Sequence, residues 1–226
     1  MLTDRDHKIF ELMSVFGGKT FLPVLAKTFF SSEQVARNRL GVLKKDKMIK
    51  YVPTGLMSPR NAIYPTEQGI RYFQEIGLRT IRTDVSTSQV HHLMLEQITY
   101  FYLKKIGKDV QRTIVKNWSK EHYHTPDLCY THKGKNVYVE IERTHKRPDV
   151  LAKIMTNMKK DDIHIVLYVF EDEKKMKQIG SKIPIFEKAY YVTIDKLIEA
   201  SKEGKIGAVK QLDYLKKIGE KENERR

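Results

Sequence analysis

Apolar residues at Ile9, Leu12, Met13 and Phe16 recur at helical spacing, and Thr3 stands where an N-cap is needed. Gly17-Gly18 ends that segment. The run from Thr20 to Phe29 predicts a short second helix, with Thr20 as its cap and Pro23 in its first turn. Ser31 or Ser32 then caps a third helix through Lys45, with Val35, Leu40 and Leu43 on its apolar stripe. The opposite face carries Gln34, Arg37, Asn38 and Lys44. Met48–Val52 and Asn61–Tyr64 predict two strands joined by a turn-rich stretch from Pro53 to Pro59. Thr66 caps a closing helix, Glu67–Ile76.

Periodicity lapses from Leu78 to Ser88, a stretch of Thr, Ser and Arg that suits a linker. A longer helix follows, Ser88–Ile106, with a wide stripe through Val90, Leu93, Met94, Gln97, Ile98, Phe101 and Tyr102, ended by Gly107. Strands are predicted at Val110–Asn117, Asp127–Tyr130 and Val137–Glu142, the last two joined by a polar hairpin loop, Thr131–Asn136. Arg147–Lys160 reads as a helix with Pro148 in its first turn. Ile163–Phe170 is almost wholly apolar, as in a strand buried on both faces. A helix over Glu171–Ile179, a strand over Ala189–Thr193 and a helix over Ile194–Ala200 complete a mixed α/β unit. Ile206, Val209, Leu212, Leu215 and Ile218 suit a short amphipathic helix, and Gly219–Arg226 is a charged tail. The expected division is residues 1–83, then 84–200, then a terminal segment 201–226.

The chain of 226 residues carries a net charge of +14, which favours a polyanionic partner through counterion release. One cysteine excludes an internal disulfide framework and fits a reducing compartment. No apolar run reaches the roughly 18 residues that span a bilayer, and the charged start does not suit a signal peptide. The expectation is a soluble, cytoplasmic protein. Residues 1–83 hold half of the excess charge in about a third of the chain.

Three helices, a two-stranded ribbon and a closing helix resemble the winged helix-turn-helix family. The phrases Leu43-Lys44-Lys45-Asp46-Lys47-Met48-Ile49 and Tyr64-Pro65-Thr66-Glu67-Gln68-Gly69 are similar to how such domains leave the third helix and enter the fourth. The resemblance implies a recognition helix at Ser32–Lys45, a wing tip at Pro53–Arg60 and double-stranded DNA as partner. The residues it assigns to DNA are Gln34, Arg37, Asn38, Arg39, Lys44 and Arg60. The same positions also suit an ordinary solvated helix face, and winged helices serve as protein-binding modules and often form homodimers.

In the second half, twelve residues separate Pro126-Asp127 from Glu140-Ile141-Glu142. On a strand, Tyr138, Glu140 and Glu142 project from one face, and Asp127 opens the neighbouring antiparallel strand. Three carboxylates in one place repel unless something cationic joins them. Mg²⁺ or Mn²⁺, with Glu96 as a fourth carboxylate, is one answer. Ordinary ion pairs to Arg143, Lys146 or Lys153 are the other. His122 and His124 lack a closed ligand set and read as surface or substrate-facing. Tyr64, Tyr72, Trp118 and Tyr123 suit either base stacking or a core.

Pro126-Asp127 on one strand and Glu140 on the next resemble the PD-(D/E)XK nuclease-like superfamily. The longer pattern resembles the replication-relaxation proteins of plasmids and mobile elements. It comprises His91-His92-Leu93, Thr125-Pro126-Asp127-Leu128, Tyr138-Val139-Glu140-Ile141-Glu142-Arg143-Thr144 and a helix with Lys153, over about Leu2 to Phe170. The resemblance implies a DNA-processing role in transfer or replication, alongside other DNA-processing proteins, with Asp127 and Glu140 as metal ligands. It departs from the nuclease motif in one respect: Glu142 stands where a lysine is expected. Lys153 or Lys146 can supply that cation from another direction. The alternatives are a Mg²⁺-dependent endonuclease or nickase using Asp127, Glu140, Glu142 and Lys153, and a non-catalytic DNA-binding accessory factor or transcriptional regulator.

Overall fold

A computed structural model describes residues 2–79, 86–113, 122–161, 163, 165–184, 186, 188–204, 206–210 and 213. Among them, eight α-helices and two sheets make a mixed α and β chain. Its internal contacts group it into two compact units, Met1–Phe101 and Tyr102–Arg226. The division falls inside the long helix, whereas the sequence suggested the Leu78–Ser88 stretch, of which 80–85 lie outside the described residues.

The first unit opens with α1 (Asp4–Val15), capped by Thr3 in a reciprocal box with Asp6. A two-residue strand β1 (Thr20–Phe21) precedes α2 (Leu22–Thr28) and α3 (Glu33–Lys45), the latter capped by Ser32. Thr20 is therefore not a helix cap. It pairs with Ile63, and its hydroxyl donates to Gln97 Oε1 at 2.8 Å. Strands β2 (Ile49–Pro53) and β3 (Asn61–Pro65) form an antiparallel ribbon, with β1 on the other edge of β3. Helix α4 (Glu67–Glu75) follows, capped by Thr66. The core gathers Ile9, Phe10, Met13, Leu25, Leu40, Leu43, Ile63 and Phe73. Val35 is not among them: Ala36, Leu40 and Leu43 turn inward on α3, and Val35, one residue before Ala36, faces out. A 3₁₀ turn (Thr87–Gln89) leads into α5 (Val90–Lys105).

The second unit holds a six-stranded sheet in chain order: β4 (Gln111–Arg112), β5 (Leu128–His132), β6 (Lys135–Glu142), β7 (Ile165–Phe170), β8 (Ala189–Thr193) and β9 (Val209–Lys210). The β4–β5, β5–β6 and β8–β9 pairs are antiparallel, while β6–β7 and β7–β8 are parallel. Helix α6 (Pro148–Lys160) makes the β6–β7 crossover and α7 (Glu173–Gly180) the β7–β8 crossover; α8 (Ile194–Glu203) follows β8. Such crossovers bury both sheet faces, and β7 is buried from Val166 to Phe170.

Two expectations change here. The hairpin loop shrinks to Lys133-Gly134, because Thr131–Asn136 and His132–Lys135 are still paired. Both turn residues have positive φ, 50° and 73°, the geometry of a two-residue turn that matches strand twist. In the terminal segment Val209–Lys210 form a strand against Tyr190–Tyr191 rather than the start of a helix. Asp213 is helical, and the remaining residues after 210 lie outside the described residues. So do Ile114–Asn117 of the first predicted strand, and Trp118.

Candidate functional site

Two places gather the residues singled out above, one in each unit. In the first unit α3 exposes Gln34, Arg37, Asn38 and Lys44, and Arg60 is exposed at the end of the ribbon loop. Ser32 accepts from the Val35 N–H at the helix start, and Lys44 and Lys45 complement the helix C-terminus. Gln34 Nε2 donates to Asn38 Oδ1 at 2.9 Å, one turn along. Arg37 pairs with Glu33, both at least half exposed, an arrangement weak enough to exchange for a phosphate. Lys44 sits over the Tyr51 ring at 5.2 Å. Thr54 closes the ribbon loop, its N–H donating to the Arg60 carbonyl at 2.9 Å. Between the start of α3 and this loop lies a cleft of about 480 Å³, flanked by Arg37 and Arg60 with Tyr51 and Met57 in its wall.

Arg39 departs from the expectation that placed it on DNA. Its Nε donates to Asp6 Oδ1 at 3.0 Å and an Nη donates to Asp6 Oδ2. Asp6 is fully buried, so this bidentate pair ties α3 to α1. Burial pushes the Asp6 pKa up, but the bonds from Arg39 and Thr3 outweigh it and hold it below the usual carboxylate range. Tyr64 is buried, Tyr72 half-buried and bonded to His7, and Tyr123 exposed beneath Lys160.

In the second unit the acids of β5 and β6 converge. Asp127 ends the approach to β5, and one carboxylate oxygen accepts the Ile141 N–H at 2.7 Å. Glu140 and Glu142 are buried on β6, and Glu140 accepts from His124 Nε2 at 2.7 Å or shares its proton. His124 is held from behind: Asp161, at the end of α6, accepts the N–H groups of Tyr123 and His124 at 2.7 and 2.9 Å. Lys146 ion-pairs with Glu142 from the segment between β6 and α6. Burial raises the Glu140 pKa; His124 opposes that and Asp127 adds to it. Burial alone would lower the Lys146 pKa, but Glu142, Glu140 and Asp127 together raise it.

The structure thus brings together Asp127, Glu140 and Glu142. Lys146 is the cation among them, while Lys153 is exposed on α6. Glu96 is buried on α5, in the first unit. The sequence reading missed the His124–Glu140 contact and the Asp161 anchor. Among the described residues, no three His, Cys, Asp or Glu side chains are disposed to hold a metal ion. The oxygen donors are of the kind Mg²⁺ or Mn²⁺ prefers; Lys146 pairs with Glu142, His124 bonds Glu140, and Asp127 accepts a backbone N–H.

A search of known families, curated proteins and solved structures found no match to this chain. Among the described residues, no helix is long and apolar enough to cross a membrane.

Proposed function

We propose that the protein binds double-stranded DNA through a winged helix-turn-helix in its first unit, as a DNA-processing factor of a plasmid or mobile element. The observation that carries this reading is the outer face of α3. Amides and exposed basic residues stand on one side of a short helix, beside a ribbon loop that ends in Arg60. A helix of that kind fits the major groove while flanking Lys and Arg hold phosphates. The element order and the quoted motifs, similar to those of replication-relaxation proteins, supply the biological setting. The second unit is read as a PD-(D/E)XK nuclease-like fold acting as a non-catalytic accessory, since each of its acids already has a partner within the fold: Lys146 for Glu142, His124 for Glu140 and the Ile141 N–H for Asp127. Binding is tested by fluorescence anisotropy on duplex DNA. Phosphate contact demands a steep fall in affinity as salt rises, and a flat salt dependence defeats the reading.

One observation favours a second reading, Mg²⁺- or Mn²⁺-dependent phosphodiester hydrolysis: three carboxylates share one end of the β5–β6 hairpin, with Lys146 beside them where the motif lysine is absent. Supercoiled plasmid incubated with Mn²⁺ and with EDTA decides it. Nicked or linear product that needs metal and vanishes in Asp127→Ala/Glu140→Ala establishes hydrolysis. A plasmid only shifted on the gel leaves the accessory role.

A further inference from the structure

The centre of the exposed α3 face holds a residue that the fold itself does not call for. Gln34, Asn38, Gly41 and Lys45 follow one another at intervals of four, three and four residues, one stripe along the helix. Gly41 lies mid-helix without positive φ, and a Cβ built there meets no atom within 4 Å. Glycine in a helix interior is less stable than alanine, and nothing among the described residues requires the missing methyl. Val35 and Val42 flank the stripe on one side and are 41% and 42% exposed, although both are apolar. Arg37 and Lys44 flank it on the other. A face with bare backbone at its centre, amides before it and two exposed valines beside it suits an occupant that comes very close.

We infer that this stripe reads A·T base pairs in the major groove, with Gln34 and Asn38 on adenine, Val35 and Val42 on thymine methyl groups, and Gly41 allowing the close approach. The inference rests on the DNA-binding reading and adds what that site selects. The chemistry of the side chains decides the bases. Asn and Gln match the N6 and N7 edge of adenine, and apolar carbons match the thymine methyl. Guanine is read by bidentate arginine, and neither arginine of α3 stands on this stripe: Arg39 is tied to buried Asp6, and Arg37 lies toward the ribbon. The Gln34–Asn38 hydrogen bond links the two amides before DNA arrives and leaves the Gln34 Oε1 acceptor and the Asn38 Nδ2 donor for a base edge. Lys45, the last residue of α3, is left for the phosphate backbone. Charge complementarity names the occupant: Lys44 and Lys45 are exposed at the end of α3, and Lys47 and Lys50 are exposed on the chain that follows.

The full-length protein is used to select from a duplex library with a randomised ten-base-pair core, and the retained DNA is sequenced. A·T pairs are expected at the core positions. In the selected duplex, replacing thymine by uracil at contacted positions lowers affinity roughly two- to four-fold for each methyl lost. Asn38→Ala lowers the preference for A·T at one position by about ten-fold. Gly41→Ala is the sharpest arm: it raises the unfolding midpoint by a few degrees, yet weakens binding to the selected duplex. That combination separates an occupied face from a bare one. Duplex retained with no base preference, or with G·C selected, overturns the inference and leaves the DNA reading standing. Unchanged affinity in Gly41→Ala overturns it as well, as does a change of oligomeric state with unaltered base selection. Failure to retain any duplex at low salt sinks both.

Discussion

Arg39→Ala tests whether this arginine is a DNA contact or a strut. Asp6 has no exposed side-chain surface, and its carboxylate accepts from Thr3 N and Thr3 Oγ1, both at 2.7 Å, as well as from two nitrogens of Arg39. Removing Arg39 leaves a buried carboxylate with the two Thr3 donors alone. Breaking a buried ion pair in this way costs about 3–5 kcal/mol, and the 23% exposure of Arg39 admits water that lowers the figure to about 3. In a unit of this size that moves the unfolding midpoint down by roughly 12–20 °C. Arg39→Lys recovers part of the loss, because a point charge cannot satisfy both oxygens at once. The pH dependence has a definite sign. The folded-state pKa of Asp6 is depressed, so the pair stabilises fully above the ordinary carboxylate value near 4 and fades as pH falls through the lower folded value. The deficit of the mutant therefore shrinks below about pH 4. Thermal unfolding followed by circular dichroism, across pH and with the Asp6→Ala/Arg39→Ala double mutant, measures all of this. A deficit under about 1 kcal/mol, or losses that simply add in the double mutant, refutes the strut.

Gly69→Ala destabilises the first unit by about 3 kcal/mol or more, because its Cβ would stand 2.2 Å from the Met48 carbonyl oxygen, which is backbone and cannot swing aside; an unchanged denaturant midpoint contradicts this. Lys146→Gln leaves Glu142 buried without its cation and lowers stability by about 2–4 kcal/mol at pH 7. Lys153→Gln, on the exposed face of α6, stays within about 0.5 kcal/mol, and equal losses for the two would refute the assignment of Lys146. Cys129 is buried and its thiol is pushed up to about 11 by that burial, so alkylation at pH 8 is slow in the native protein and rapid in denaturant. With a single cysteine in the chain, mass spectrometry reads the result directly, and fast native labelling contradicts it.

Elements whose ends carry their own chemistry were legible in the sequence. Thr3, Ser32 and Thr66 announce α1, α3 and α4, and the apolar run before Phe170 announces β7. Thr20 was misread because a threonine before Pro23 suits a cap, while its partners Ile63 and Gln97 lie far along the chain. Val209 was misread for a related reason. A three-residue spacing of apolar side chains fits a helix loosely, and pairing with Tyr191 on β8 settled the local form.

The acids show where a local pattern stops being informative. Alternation along β6 puts Glu140 and Glu142 on one face, and the hairpin brings Asp127 level with Glu140, since Leu128 pairs with Val139. That much follows from spacing. Which cation answers them does not, because three routes compete within a few residues of chain: Arg143, Lys146 and Lys153. The segment between β6 and α6 decides for Lys146, four residues after Glu142 and half-screened from water. His124 is decided by Asp161, which takes two backbone N–H groups from the end of α6 and so turns the imidazole toward Glu140. Burial raises the Glu140 pKa and its bond to His124 opposes that rise, while the neighbouring Glu142 is paired with Lys146. An acid cluster that is repulsive in isolation thus finds hydrogen-bond and ion-pair partners within its own unit. Of the carboxylates that would have to bind a metal for cleavage, Glu140 and Glu142 are the ones whose removal also frees His124 and Lys146. For that reason Asp127→Ala, which leaves both pairs intact, separates loss of activity from loss of the sheet more cleanly than substitution of Glu140 or Glu142.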